Sequence, residues 1–167
     1  TSSDLARPTH AAALAEAEQK MLSSCITNHA VSKYSNLENA LKYHLSCRGK
    51  RVRGQIALDS AESLKIPYQS GILIAAICEL LHNASLVHDD IQDKDTLRRG
   101  LQSVWLKYGE DIAICLGDLM ISASYGLLAE LMEVQPSPQI IKKTHQAILT
   151  TIYGQGGDLA SHVSKMS

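Results

Sequence analysis

The sequence predicts an all-α fold. Apolar residues return every three or four positions through most of the chain, period-2 alternation is nearly absent, and proline and glycine fall where helices would be separated. Residues 11–30 are rich in strong helix formers and carry Leu14, Ala17, Met21, Leu22 and Cys25 on one stripe, which predicts a first helix. Asn36 suits the cap of a second, with Leu37, Ala40, Leu41 and Leu45, ending near Gly49. A third is expected from Arg53 to Leu64, stopping before Pro67. From Ser70 to Gln92 runs a long helix, apolar in its first half and polar in its second. Residues 94–103 read as a loop, and Gly109 precedes another long apolar helix from Glu110 to Glu133, expected to be buried. Pro136 and Pro138 break the chain before a last helix from Gln139 to about Tyr153, where Gly154, Gly156 and Gly157 are expected to interrupt it. No internal repeat occurs, so helices packed antiparallel through short loops are the expected architecture.

The 167 residues allow one ordinary domain or a piece of a larger one. With 45% apolar and 20% charged residues the chain is of globular type, which excludes a disordered or collagen-like class. Sixteen Lys and Arg against seventeen Asp and Glu leave a net charge of −1, without the basic excess of a non-specific nucleic-acid binder. The longest uninterrupted apolar run, Gly71 to Cys78, ends at Glu79 and is far short of the roughly 20 residues that cross a bilayer, so no membrane span is expected. Cys25, Cys47, Cys78 and Cys115 form no C-x-x-C pair, which points to reduced thiols and a cytoplasmic location.

Three polar clusters stand out. Asp89, Asp90, Asp93 and Asp95 crowd the C-terminal end of the long helix, where the helix dipole disfavours anions unless a cation compensates them. Asp89 and Asp93 are four residues apart, so they share one face about 6 Å apart along the axis, within reach of one or two metal ions. Hard oxygen ligands suit Mg²⁺, which commonly completes its shell with water and substrate phosphate. Taken alone, a D-D-x-x-D is also what a solvated acidic helix end looks like. Arg48, Lys50, Arg51 and Arg53 gather four cations beside Gly49, a composition that binds phosphate oxygens or simply forms a basic loop. Arg98 and Arg99 follow the aspartates within one short loop and could serve two different anions. His82 lies seven residues before Asp89, within about 20° of it around a straight helix. Ser85, with Ala84 beside it, and Cys78 lie below Asp89, leaving space for a long apolar group or for close helix packing. His88 is read as structural.

In combination, G-K-R-x-R at Gly49 to Arg53, H-N-A-S-L-V-H-D-D-I-Q-D at His82 to Asp93 and L-R-R-G at Leu97 to Gly100 resemble the trans-isoprenyl diphosphate synthase (polyprenyl synthetase) family. Order and spacing agree from about Ala40 to Leu159, with further similarity at Val104-Trp105, Tyr108-Gly109, Gly117-Asp118 and Gly154-Gln155. The resemblance implies an isoprenoid-synthase-type helical bundle around a central cavity, with residues 1–167 the N-terminal part of one such domain and about half of the bundle. It implies a transferase that condenses isopentenyl diphosphate with an allylic diphosphate, by Mg²⁺-assisted ionisation, to give a longer polyprenyl diphosphate. By matching positions, Asp89 and Asp93 hold the metal, Lys50, Arg53, His82 and Arg99 bind isopentenyl diphosphate, and Arg98 contacts the allylic diphosphate. Asp89, Asp93, Arg98 and Arg99 form the catalytic set. Ala84 and Ser85, small where the family's short-chain members carry aromatics, imply a product beyond the farnesyl length. A homodimer is expected, with the Glu110 to Glu133 helix a candidate interface.

Departures are visible too. The basic motif usually ends in Pro but here in Gly54, and Leu101, Gln102 and Ser103 replace the usual x-P-T after L-R-R-G. A second aspartate-rich motif is absent from this sequence. That leaves three expectations: part of a longer enzyme, a chain completed by a second subunit, or a non-catalytic prenyl-synthase-like chain. A terpene cyclase would share the aspartates but would not need the basic motif, and nucleic acid would be repelled by carboxylates flanking the cations.

Overall fold

Thr9 opens the first helix, α1 (His10–Cys25): its hydroxyl accepts a hydrogen bond from the Ala12 N–H at 3.3 Å, and Ala13, Ala17, Met21 and Cys25 make one buried stripe at a four-residue spacing. The protein is described by a computed structural model covering residues 8–26, 35–47 and 49–165. The first helix is shorter than the expected 11–30, because Ile26 turns to extended backbone, and residues 27–30 lie outside the described residues. The second, α2 (Ser35–Ser46), places Asn36 inside its first turn, not at its cap, and buries Ala40, Leu41 and His44. The third, α3 (Val52–Ser63), is closed by a Schellman turn in which Lys65 takes the left-handed conformation and Ile66 N–H returns to Ala61 O at 2.8 Å.

The long helix α4 (Tyr68–Gln92) is the axis of residues 1–134. It packs along α6 (Glu110–Val134) and also against α3 and α1. Leu73, Leu80, Leu116, Met120 and Leu131 are among the fully buried side chains at the centre. Between the two long helices, the expected loop is a miniature hairpin, β1 (Leu97–Arg98) and β2 (Leu101–Gln102), followed by a short helix, α5 (Val104–Tyr108). Arg99 and Gly100 both have positive φ, 53° and 81°, the signature of a two-residue hairpin turn that follows the natural strand twist. Strands of two residues are too short to show alternation, which is why the pattern read as a loop.

By length and composition α4 and α6 are each apolar enough to cross a membrane, contrary to the expectation drawn from uninterrupted runs alone. Burial against neighbouring helices accounts for most of the apolar stretch of α4 and for less than half of that of α6. Cys25 and Cys47 are buried, and all four cysteines are free thiols.

Residues 135–167 form a separate unit built on α7 (Pro138–Lys165). This helix runs on through Gly154, Gly156 and Gly157, correcting the expected stop near Tyr153. Glycine weakens a helix by about 1 kcal/mol relative to alanine but keeps its N–H, so only a proline would have removed the ladder.

Candidate active site

One stripe of α4 is only half buried, and Cys78, His82, Ser85 and Asp89 follow one another along it. The site stands on this stripe. At its upper end α4 closes with a second Schellman turn: Asp93 is the C-cap, Lys94 is left-handed, and Asp95 N–H returns to Asp90 O at 3.0 Å. That turn fixes the acidic segment. Asp89 and Asp93 are left without a described ion pair, and burial, reinforced by the neighbouring Asp93 charge, raises the Asp89 carboxyl above its usual value.

Asp90 does the opposite. It is 1% exposed and accepts from Arg98 Nε at 2.9 Å and from Arg98 Nη2 in a short second contact. The hydrogen bond to Asp90 raises the Arg98 pKa further, and Asp95 lies 3.8 Å from the same guanidinium. The carboxylate that points away from Asp89 and Asp93 therefore orients Arg98, whose Nη1 takes no part in these bonds.

Across the stripe, a group of cations meets below. Arg99, in left-handed conformation at the hairpin turn, donates from Nη1 to Cys47 O at 2.7 Å and lies so close to Gly49 that a Cβ there would overlap its guanidinium. Arg53 Nη1 is 3.1 Å from His82 Nε2. Because a guanidinium only donates, Nε2 is the acceptor in this contact and the imidazole proton sits on Nδ1. Burial, followed by the Arg53 charge, lowers the His82 pKa, so the ring is neutral in this arrangement. Lys50 stands exposed beside Gly49. Thus Arg53 and His82 touch, Arg99 rests on Gly49 next to Lys50, and Arg98 belongs to the aspartate end.

Two members of the basic cluster fall elsewhere. Arg51 turns inward, 8% exposed, to Glu18 at 2.7 Å and Glu79 at 3.6 Å, so the expectation of four phosphate-facing cations is corrected. Arg48 lies outside the described residues. His88 packs against Gly117 of α6, with Nε2 3.3 Å from Ile114 O and 3.7 Å from Asp118. This agrees with a structural role. Ala84 is 1% exposed in the helix packing, whereas Ser85 remains half-buried on the stripe, its hydroxyl turned back to His82 O at 2.8 Å. Sequence reasoning missed the Asp90–Arg98 pair and the Arg51–Glu79 pair; a buried Glu in the apolar half of α4 was the available signal for the second.

The fit to Mg²⁺ rests on the donor set. Among the described residues no three His, Cys, Asp or Glu side chains gather as a metal site. Two carboxylates one turn apart, with Asp93 repelling Asp89 and no ion pair to either among the described residues, fit an ion that takes the rest of its shell from water and phosphate oxygens. They do not fit an ion held by protein alone.

The chain belongs to the polyprenyl synthetase family, whose model matches residues 34–167. It is 33% identical over 129 residues to the short chain isoprenyl diphosphate synthase of Methanocaldococcus jannaschii, covering 77% of this chain and 39% of that protein. To the geranylgeranyl diphosphate synthase of Sulfolobus acidocaldarius it is 41% identical over 101 residues, 60% of this chain and 31% of that one. Among solved structures, the geranyltranstransferase of Thermotoga maritima superposes with a TM-score of 0.78 at 25% identity, over 90% of this chain and 54% of that one. The geranylgeranyl pyrophosphate synthetase of Geoglobus acetivorans gives 0.72 at 29% identity, over 86% and 46%. The fold is therefore that of the isoprenoid synthase bundles, and the chain spans about a third to two-fifths of the length of these two curated relatives.

Proposed function

We propose that this chain carries the first half of the catalytic site of a trans-prenyltransferase, which joins isopentenyl diphosphate to an allylic diphosphate and releases pyrophosphate. The observation that carries the reading is the division of charge along one helix face. Carboxylates Asp89 and Asp93 stand at the top with Arg98, and Arg53, His82 and Arg99 converge below, beside Lys50. Two anionic substrates need two such places. When bound, Mg²⁺ would be held by Asp89 and Asp93 and would supply charge neutralisation for a departing pyrophosphate.

The chain's own residues do the rest. Arg98, oriented by Asp90, faces the allylic diphosphate with its remaining N–H groups and favours breakage of the C–O bond, the electron pair leaving with pyrophosphate. Lys50, Arg53 and Arg99 hold the diphosphate of the second substrate, and neutral His82 donates to it through Nδ1–H. This sets the isopentenyl double bond against the allylic cation; a new C–C bond forms and the resulting cation loses a proton to the released pyrophosphate, leaving a diphosphate five carbons longer. The growing chain descends along Cys78 and Ser85. The small Ser85, with Ala84 behind it, supports products beyond the farnesyl length. In this reading residues 1–167 are the N-terminal part of one all-α domain, and the protein acts as a homodimer with α6 as a candidate interface.

A second reading is a partner-dependent or non-catalytic prenyl-synthase-like subunit. It is favoured by the small donor set, since among the described residues no three metal-ligating side chains gather. Turnover of labelled isopentenyl diphosphate with allylic primers separates the two. The catalytic reading expects turnover that Asp89→Ala abolishes, and unchanged activity in that variant would sink the metal assignment.

A further inference from the structure

We infer that Arg51 and Glu79 are positioning residues for isopentenyl diphosphate, a buried ion pair that aims Lys50 and Arg53 outward from the start of α3. The inference rests on the functional reading above and names how that site is held. Arg51 is the N-cap of α3 with φ 49°, a left-handed conformation that a non-glycine residue adopts only at a cost. The kink reverses its side chain relative to its neighbours. Lys50 and Arg53 are exposed, while Arg51 enters the interior between four helices. There Nε donates to Glu18 of α1 at 2.7 Å, Nη2 donates to Leu45 O of α2 at 3.2 Å, and Nη1 is 3.6 Å from Glu79 of α4.

Glu79 completes the clamp. Its side chain is 5% exposed; Oε1 accepts the Gly54 N–H at 2.9 Å and Oε2 faces Arg51 Nη1 at 3.6 Å, an ion pair without a hydrogen bond, so one carboxylate meets both the cap of α3 and its first turn. The residue one turn further along α4 is His82, which meets Arg53. The departure at Gly54 acquires a physical meaning here: a proline would have no N–H for this bond. Replacing a buried ion pair by apolar side chains is often neutral for stability, so what this network supplies that a hydrophobic patch would not is orientation.

The test measures binding of isopentenyl diphosphate, and separately of an allylic diphosphate with Mg²⁺, by calorimetry on the wild type and on Glu79→Gln. Gln can still accept from Gly54 but removes the charge facing Arg51. Helical circular dichroism checks the fold, and Arg51→Lys, which keeps the charge and loses the fork, is the second variant. The expected result is about tenfold weaker isopentenyl diphosphate binding in Glu79→Gln and in Arg51→Lys, with the allylic affinity unchanged. Equal weakening of both substrates, or loss of helical signal in both variants, would make the network a stability element and overturn the inference. A wild type that binds while both variants bind equally well overturns it alone. A wild type that binds no isopentenyl diphosphate overturns the functional reading and this inference with it.

Discussion

Replacing Asp89 by Asn should stabilise the fold while destroying the site. The carboxylate sits in the last turn of α4, where the helix dipole opposes an anion by about 0.3–1 kcal/mol. It also faces Asp93 at an i, i+4 spacing, a like-charge pair that costs a further 0.2–0.5 kcal/mol or about that. Asp89→Asn therefore gains about 1 kcal/mol at neutral pH and low salt, which for a chain of this size raises the melting temperature by about 2–4 °C. Thermal unfolding followed by circular dichroism in the presence of a chelator reads the shift. The sign with pH is fixed. The folded-state pKa of Asp89 is raised, so the folded state holds its proton more tightly, and the penalty grows as pH rises through the carboxylate range. The advantage of the variant should thus vanish well below the ordinary value of 3.8. Its neighbour gives the opposite result: Asp90→Asn removes the charge that a buried carboxylate presents to Arg98 and should lower stability by about 1–3 kcal/mol. Melting of Asp89→Asn below the wild type would show instead that the Asp89 charge is compensated in the fold.

Two further outcomes follow from the burial pattern. Burial lowers the His44 pKa to about 4 despite its 3.0 Å bond to Asn83, so the folded state resists protonation. Stability should be intact above 6.5 and fall by up to about 3 kcal/mol as the pH drops toward 4; His44→Gln should flatten that part of the urea-unfolding profile, and an unchanged profile would refute the assignment. Ser85→Phe should shorten the product with little loss of stability, whereas Ala84→Phe, at a fully packed position, should cost about 1–3 kcal/mol in urea melts. Product length unaffected by Ser85→Phe would remove the stripe below Asp89 as the path of the chain.

The helices were legible because burial repeats at helical spacing, as in Ala13, Ala17, Met21 and Cys25, and because Pro67 and Gly109 flank the two long ones. The anionic end of α4 was legible as a violation of helix electrostatics, and the divergence of Arg98 and Arg99, which turn to Asp90 and to Cys47 O, as that of adjacent residues. What one residue's neighbours in sequence do not encode was not legible. Lys50, Arg51 and Arg53 look alike along the chain, and only the left-handed Arg51 backbone with Glu18 and Glu79 from distant helices separates the inward cation from the outward ones. Asp90 and Arg98 are joined across a capped turn and a hairpin whose two-residue strands carry no periodic signal. The glycines of α7 mark a weakened helix and not its end.

The proposed function divides one face of α4, with metal and allylic diphosphate at Asp89, Asp93 and Arg98 and isopentenyl diphosphate at Lys50, Arg53, His82 and Arg99. The most direct measurement is product analysis after incubating the protein with labelled isopentenyl diphosphate, an allylic diphosphate and Mg²⁺. The expected product is a linear diphosphate lengthened by five-carbon steps, with one pyrophosphate released per step and no product when Mg²⁺ is withheld. A cyclised hydrocarbon without incorporated label, or elongation that persists without a divalent cation, would contradict it.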